Sequence, residues 1–186
     1  QIIVVDNSSD LATIDYVQQL EGVTKKYIRT HTSIGFAKLL GSVMAKPSKY
    51  IYFTDDDTYH LPHWDTILIK ALKDYEDLVI VGGRGMHGTG NPRDLTGEYK
   101  VCEVDLQAGY SMMFRREQWE ERGCFPDYNE DSWVSYEMRG YFQKNLGVVD
   151  PPLLIHCGFK RVNKQNIDLA GKAHDWREID EDQPLL

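Results

Sequence analysis

The chain has 186 residues, a formal net charge of −8 and 41% hydrophobic residues, which is enough for one well-filled core and ordinary for a soluble globular domain. The acidic balance excludes an extended nucleic-acid-binding surface, which needs clustered Lys and Arg, and no apolar stretch reaches the length of a membrane span. Three widely spaced cysteines without a CxxC pair indicate neither a disulfide framework nor a zinc site, so we expect a reducing, cytoplasmic compartment.

The first half of the chain alternates short apolar runs with helical patterns. The β-branched run from Ile2 to Val5 is typical of a strand buried on both faces of a parallel sheet. Strands are predicted at Ile2–Val5, Tyr27–Arg29, Lys49–Thr54 and Leu78–Val81, and helices at Leu11–Leu20, Ile34–Ala45 and Trp64–Tyr75. Repeated βα units predict an α/β fold. Since the chain opens inside a strand, we expect an earlier strand and helix of the fold to be missing.

The second half of the chain mixes strands and helices without this regular order. A glycine-rich loop, Gly82 to Pro92, opens it. Strands are predicted at Val101–Val104, Tyr110–Phe114 and Leu153–Cys157, helices at Arg115–Arg122 and Asp131–Asn145, and an acidic tail at Glu178–Leu186. No internal repeat or linker interrupts the chain, so we expect a single domain over residues 1–186.

Three acidic residues, Asp55 to Asp57, follow the apolar strand that ends at Thr54. In open α/β sheets the ligand crevice lies outside the carboxyl ends of the strands. Carboxylate oxygens at that place suit Mg²⁺ or Mn²⁺ carrying a phosphate. The alternative is an acidic turn that caps the helix after Pro62.

A second polar cluster, Asp6-Asn7-Ser8, follows the first strand. If this strand is a sheet neighbour of the strand before the triplet, both clusters lie on one rim of the sheet. Asp6 would then accept a hydrogen bond from a nucleotide base while the triplet holds metal and diphosphate. This division suits a nucleotide-sugar, although Asp after a strand is also a common helix cap.

Five pieces occur in a characteristic order: IIVVDNSSD, GFAK, YIYFTDDDT, AGYSMMFRRE and NEDSW. In this order the chain resembles the GT-A glycosyltransferases, family 2 in particular, from Ile2 to Gly158. The resemblance implies an α/β, Rossmann-like fold of nucleotide-diphospho-sugar transferases, with a mixed, mainly parallel sheet flanked by helices. It also implies one catalytic domain that transfers a hexosyl group.

The resemblance makes Asp55 and Asp57 the two acidic residues of a DxD motif, with Asp56 as the variable middle residue that still faces the nucleotide-sugar. Asp57 is then the direct metal ligand, and Asp55 reaches the metal or the ribose. His156 matches the late histidine that some GT-A enzymes add to the metal site, and imidazole is a competent Mn²⁺ ligand. The implied cofactor is Mn²⁺ or Mg²⁺. A strand histidine bonded to a backbone group is the structural alternative.

Asp131 resembles the family's catalytic base, which takes a proton from the acceptor hydroxyl as that oxygen attacks the anomeric carbon. This role implies inversion at that carbon. Its neighbour Glu130 holds the acceptor or the helix N-terminus. Asp131 is also placed to cap a helix beginning at Ser132.

The segment around Gly109 and Tyr110, with the basic pair Arg115-Arg116 behind it, matches the part of the pattern that closes the donor-sugar and acceptor side. Small residues allow close backbone approach there, and Tyr110 and Trp133 are candidates to stack on sugar rings, although large aromatic residues are more often core. The family's usual Arg-Asn pair is replaced by Leu40-Gly41. Lys38 is therefore the nearest candidate to contact the diphosphate.

These residues predict a metal-dependent inverting glycosyltransferase that uses a nucleotide-sugar, with a UDP-sugar favoured, and a glycan, protein or lipid acceptor. Two alternatives stay open. One is a degenerate GT-A domain that binds nucleotide or glycan without turnover. The other is a sugar nucleotidyltransferase, whose glycine-rich signature is expected after the first strand, where Asp6-Asn7-Ser8 stands instead.

Overall fold

The computed structural model describes residues 1–7, 11–28, 33–84, 90–126 and 130–156. The described helices are α1 (Leu11–Gln19), α2 (Ile34–Met44), α3 (Trp64–Asp74), α4 (Arg116–Arg122) and α5 (Glu130–Phe142). The described strands are β1 (Ile2–Asp6), β2 (Val23–Tyr27), β3 (Tyr50–Thr54), β4 (Thr58–His60), β5 (Leu78–Gly82), β6 (Arg93–Asp94), β7 (Lys100–Val104), β8 (Ser111–Arg115), β9 (Asn145–Asp150) and β10 (Leu154–His156). The α/β class is confirmed. No helix among these residues is both long and apolar enough to cross a membrane.

A six-stranded sheet with the order β3-β8-β5-β9-β7-β6 forms the centre of the molecule. Only β5 and β9 pair in parallel within it, and its other neighbouring pairs are antiparallel. The sheet is mixed as predicted, but the expectation that it is mainly parallel is wrong. The reason is that β8, which comes later in the chain, lies between β3 and β5 and runs antiparallel to both. The strands β3 and β5 therefore do not pair with each other directly.

The first two strands form a separate small sheet, in which β1 pairs with β2 in parallel and Ile2 lies opposite Val23. Within the described residues β1 is not hydrogen-bonded to β3, so the two strands are not the sheet neighbours that the sequence suggested. The second strand also begins earlier than predicted, at Val23 rather than Tyr27. The charged residues Lys25 and Lys26 inside it hide the strand pattern.

Two clusters of apolar side chains cover the two faces of the central sheet. Strand β5 is buried along its whole length, as expected for a strand covered on both faces. Helices α4 and α5 pack on one face through Trp119, Val134 and Met138. Helix α3 packs on the other face through Leu68 and Leu72.

The end of α5 differs from the sequence prediction. The helix ends at Phe142, because Gln143 adopts a left-handed conformation with φ of 52°. The residues that follow form β9 instead of continuing the helix to Asn145. Strand β10 lies within the predicted run, whose last residue Cys157 and the acidic tail lie outside the described residues.

Candidate active site

The acidic triplet forms the turn between β3 and β4, at the carboxyl end of β3. The hydroxyl oxygens of Thr54 and Thr58 lie 2.6 Å apart across this turn, and the Thr58 hydroxyl donates to the Asp55 carbonyl at 2.8 Å. These bonds fix the backbone of the turn. Asp55 and Asp57 are partly buried in it, whereas Asp56 is exposed.

The ammonium group of Lys38 connects three segments of the site. Lys38 lies on α2 and is 9% exposed. Its Nζ lies 2.8 Å from Oδ1 of Asp55 and 3.9 Å from Oε1 of Glu130, and it donates to the Gly109 carbonyl at 2.8 Å. Lys38 therefore joins the turn that carries the triplet to the start of α5. The predicted contact of Lys38 with a diphosphate stays a prediction.

Glu130 and Asp131 lie in the first turn of α5, beside Gly109. A Cβ placed on Gly109 would lie 3.1 Å from Cβ of Asp131 and 3.3 Å from Nζ of Lys38. The lack of a side chain at Gly109 is thus what lets the two segments come together. Oδ1 of Asp131 accepts a bond from the backbone N–H of Ser132 at 2.6 Å. Since the helix begins at Glu130, Asp131 belongs to its first turn rather than preceding it.

His156 reaches the triplet through strand pairing. Strand β10 runs antiparallel to β4 and places His156 opposite Thr58. Its Nε2 lies 3.2 Å from Oδ2 of Asp57. The Tyr110 ring stacks on the imidazole, with ring centroids 4.2 Å apart and planes 7° apart. The structure thus brings together the predicted metal ligands Asp57 and His156.

Asp57 and His156 suit two positions on a single divalent ion. Octahedral ligands at about 2.1 Å from a metal are roughly 3 Å apart when adjacent, which is close to the observed separation. Asp55 is held instead by Lys38. In the part of the chain that the structure describes, no group of three or more His, Cys, Asp and Glu side chains is arranged to hold a metal. Further positions on an ion would therefore fall to water, to a bound diphosphate, or to the carboxylate oxygen of Asp55 that does not contact Lys38.

A partly buried chain of hydrogen bonds connects β3, β4 and β8 beside the site. The Tyr52 hydroxyl donates to Oγ of Ser111 at 3.1 Å and lies 3.0 Å from Nε2 of His60, while the Gly83 N–H donates to the same Oγ at 2.8 Å. Burial is the main cause that raises the pKa of Tyr52 above its ordinary value. Burial also lowers the pKa of His60. Both groups therefore stay neutral at neutral pH and act as hydrogen-bonding partners.

Gln107 is a supporting residue that the sequence did not reveal. It is fully buried, and its Nε2 donates at 2.9 Å to both the Arg84 and the Ser111 carbonyls. A Cβ placed on Gly82 would lie 1.9 Å from this nitrogen, so glycine is required there. The only sequence signal was the position of Gln107 two residues before the predicted Gly109 segment.

The other predicted site residues lie on β1, directly after β1, and on α5. Asp6 is buried and is the last residue of β1 in the small sheet. Asn7 follows it in the chain, and Ser8 lies outside the described residues. Trp133 lies on α5 and is 40% exposed, so it is not a core residue.

The basic pair lies away from the site, contrary to the sequence interpretation. Ser111 is the first residue of β8 and Arg115 is the last. At this far end of the strand, Arg115 donates to the carbonyls of Leu72 and Leu78. Arg116 bonds Oγ of Ser48, just before β3.

The fold and the comparisons with known proteins together indicate a nucleotide-sugar glycosyltransferase. A family model described as Glycosyl transferase family 2 matches residues 1–168. The chain belongs to this family. No curated protein sequence matches the chain.

Solved structures share the fold. The crystal structure of GalNAc-T7 with UDP, GalNAc and Mn²⁺ matches with a TM-score of 0.64 at 14% identity, over 84% of this chain and 37% of that one. The mannosyltransferase PcManGT from Pyrobaculum calidifontis, in complex with GDP-Man and Mn²⁺, gives 0.61 at 16% identity, over 86% and 48%. S. aureus TarS 1–349 gives 0.55 at 16% identity, over 83% and 50%. The GT-A fold is thereby confirmed, and the chain spans half or less of the length of these structures.

Proposed function

We propose that this chain is the catalytic domain of a metal-dependent inverting glycosyltransferase that moves a sugar from a nucleotide-sugar to an acceptor hydroxyl. The observation that carries the proposal is the position of Lys38, which joins Asp55 of the acidic triplet to Glu130 at the start of α5. The proposed donor side, at the triplet, and the proposed acceptor side, at the start of α5, are thus linked through one lysine. Membership of Glycosyl transferase family 2 supports this assignment.

The proposed metal ligands are Asp57 and His156, whose 3.2 Å separation suits one divalent ion. Asp55 remains beside them as a ligand of the metal or the ribose, with Oδ1 bonded to Lys38. A Mn²⁺ or Mg²⁺ ion supplies Lewis-acid stabilisation of the charge on the departing diphosphate. Both GalNAc-T7 and PcManGT were solved with Mn²⁺, which supports this choice of cofactor.

Asp131 is the proposed base. Its carboxylate accepts the proton of the acceptor hydroxyl while that oxygen forms a bond to the anomeric carbon. The bond from the anomeric carbon to the diphosphate oxygen breaks, and its electron pair leaves with the diphosphate. The acceptor enters from the face opposite the diphosphate, so the configuration inverts. Glu130 orients the acceptor beside Asp131.

The donor is proposed to be a UDP-sugar, with a GDP-sugar as the competing class. GalNAc-T7 carries UDP and PcManGT carries GDP-Man, so the fold accommodates both bases. Asp6, Asn7 and Ser8 are the proposed base contacts. Gly109 and the exposed Trp133 are proposed to face the sugar or the acceptor, which is a glycan, a protein or a lipid.

Two substitutions test this function. Asp131→Asn should lower transfer at least about 100-fold, because the acceptor proton loses its base, while nucleotide binding in the presence of Mn²⁺ stays unchanged. Asp57→Asn should weaken that binding itself. Release of UDP and GDP from a panel of nucleotide-sugars, with calorimetry for binding, measures both effects.

The matched control is Asp105→Asn, since Asp105 is an exposed partner of Arg139. Full transfer activity in the Asp131→Asn variant would show that Asp131 is not the base. If the wild-type chain binds nucleotide with Mn²⁺ but transfers no sugar from any donor, a binding domain without turnover is the better assignment.

A further inference from the structure

The face of the His156 imidazole is covered by the Tyr110 ring. The two ring planes are nearly parallel, at 7°, and their centroids lie 4.2 Å apart, so the rings are stacked face to face. The sequence pattern suggested a sugar platform at Tyr110, whereas the structure gives that ring a protein partner.

His156 lies at a place where its ring orientation needs support. It is the last residue of β10, a strand of three residues, and β10 pairs with β4, which is equally short. Its side chain is 34% exposed. An imidazole that binds metal must keep one nitrogen directed at the ion, and its other contacts usually fix the ring plane. Stacking on a rigid ring achieves the same restriction.

Tyr110 is held firmly on both sides in the chain. The Gly109 carbonyl before it accepts a bond from Lys38 at 2.8 Å. Ser111 after it is fully buried and bonds the Gly83 N–H and the Tyr52 hydroxyl. The backbone on both sides of the Tyr110 ring is therefore held by hydrogen bonds to other segments of the site.

We propose that Tyr110 is a positioning residue for the metal site. Its ring fixes the plane of the His156 imidazole, so that Nε2 stays directed towards Oδ2 of Asp57 before any metal arrives. The site is thereby pre-organised, which lowers the ordering cost of metal binding. This inference rests on the proposed role of Asp57 and His156 as metal ligands.

Mn²⁺ binding to the nucleotide-free chain tests the inference. Electron paramagnetic resonance of free Mn²⁺ gives the dissociation constant for the wild type and for Tyr110→Leu and Tyr110→Phe. Loss of the flat ring in Tyr110→Leu should weaken Mn²⁺ binding about 10- to 100-fold, the range typical of residues that orient a metal ligand. Tyr110→Phe keeps the ring and should retain the wild-type affinity.

The control variants separate the inference from the proposed function. Tyr136→Leu removes an aromatic ring from the exposed face of α5 and should leave Mn²⁺ affinity unchanged. If His156→Ala and Asp57→Asn bind Mn²⁺ as the wild type does, the proposed metal site is wrong. If those two variants lose affinity while a folded Tyr110→Leu keeps it, the metal site stands and the positioning role is wrong.

A sugar-platform role for Tyr110 gives a different pattern. Tyr110→Leu would then raise the KM for the donor or acceptor and leave the Mn²⁺ dissociation constant unchanged. Circular dichroism establishes whether Tyr110→Leu is folded, and if it is not, Tyr110→Ile replaces it, because Ile also removes the flat ring and brings no metal-binding group; it should lose affinity about 10- to 100-fold. Wild-type affinity in a folded Tyr110→Ile chain would overturn the role of stacking.

Discussion

The ammonium group of Lys38 contacts three segments of the site, whereas the sequence predicted for it only a contact with the diphosphate. It is a buried cation between two partly buried carboxylates, those of Asp55 and Glu130, and it also satisfies the Gly109 carbonyl. Removing one member of such a group leaves the others without their compensating charge. Lys38 therefore contributes to stability and to the shape of the site at once.

Lys38→Met should lower the free energy of unfolding by about 1–3 kcal/mol, the cost of losing hydrogen bonds that involve a charged group. Transfer should fall as well, because the triplet and α5 lose their connection. Urea unfolding with a parallel transfer assay measures both. Lys70→Met is the control, since Lys70 forms an exposed pair with Asp74 and such pairs contribute less than about 1 kcal/mol. Equal losses in the two variants would show that Lys38 contributes no more to stability than an exposed lysine.

At the scale of elements, Arg115 joins the end of β8 to the end of α3. Its guanidinium donates to the carbonyls of Leu72, Tyr75 and Leu78. The last carbonyls of a helix have no partner within the helix. The planar guanidinium bonds one of them, that of Leu72, together with the carbonyls of Tyr75 just after α3 and Leu78 at the start of β5. Arg115 therefore holds the end of α3 against the sheet, in addition to the apolar packing of Leu68 and Leu72.

Arg115→Lys should destabilise the chain by about 2–4 kcal/mol, because one ammonium cannot replace the several charged hydrogen bonds of the guanidinium. Urea unfolding gives the difference. The same substitution at Arg139, which pairs with Asp105 on the surface, should cost less than about 1 kcal/mol. A cost at Arg115 no greater than that at Arg139 would contradict the role in holding α3.

Local sequence signals located most elements but not the contacts between distant ones. The apolar runs correctly marked β3 and β5, and the helical stripe marked α3. Strand β4 was missed, because Thr58-Tyr59-His60 has no apolar alternation and becomes a strand only by pairing with β10. Strand β9 was missed because the helical pattern before it ran on past Phe142. Such pairings are tertiary events and leave no local period in the sequence.

At the scale of the whole molecule, the site gathers groups from distant parts of the chain at one edge of the central sheet. The triplet follows β3, Ser111 begins β8, and His156 ends β10. The resemblance to family 2 assigned residues to roles, and their proximity then followed from the known order of motifs. The supporting contacts of Lys38 and Tyr110 could not be predicted, because each depends on where two non-neighbouring side chains point.

A ligand that touches several of these segments should stabilise the whole fold. At about 100 times its dissociation constant, a ligand that binds only the folded chain adds about 2.7 kcal/mol to the free energy of unfolding. We expect UDP with Mn²⁺ to approach this gain, and UDP with a chelator to give much less, because the diphosphate then lacks the ion that Asp57 and His156 are proposed to hold. Urea unfolding with UDP and with GDP, each with and without Mn²⁺, measures the gain and identifies the preferred base.

Asp57→Asn should abolish the metal-dependent part of this gain, while Asp105→Asn should retain it. A gain from UDP that is the same in chelator would show that nucleotide binding needs no metal.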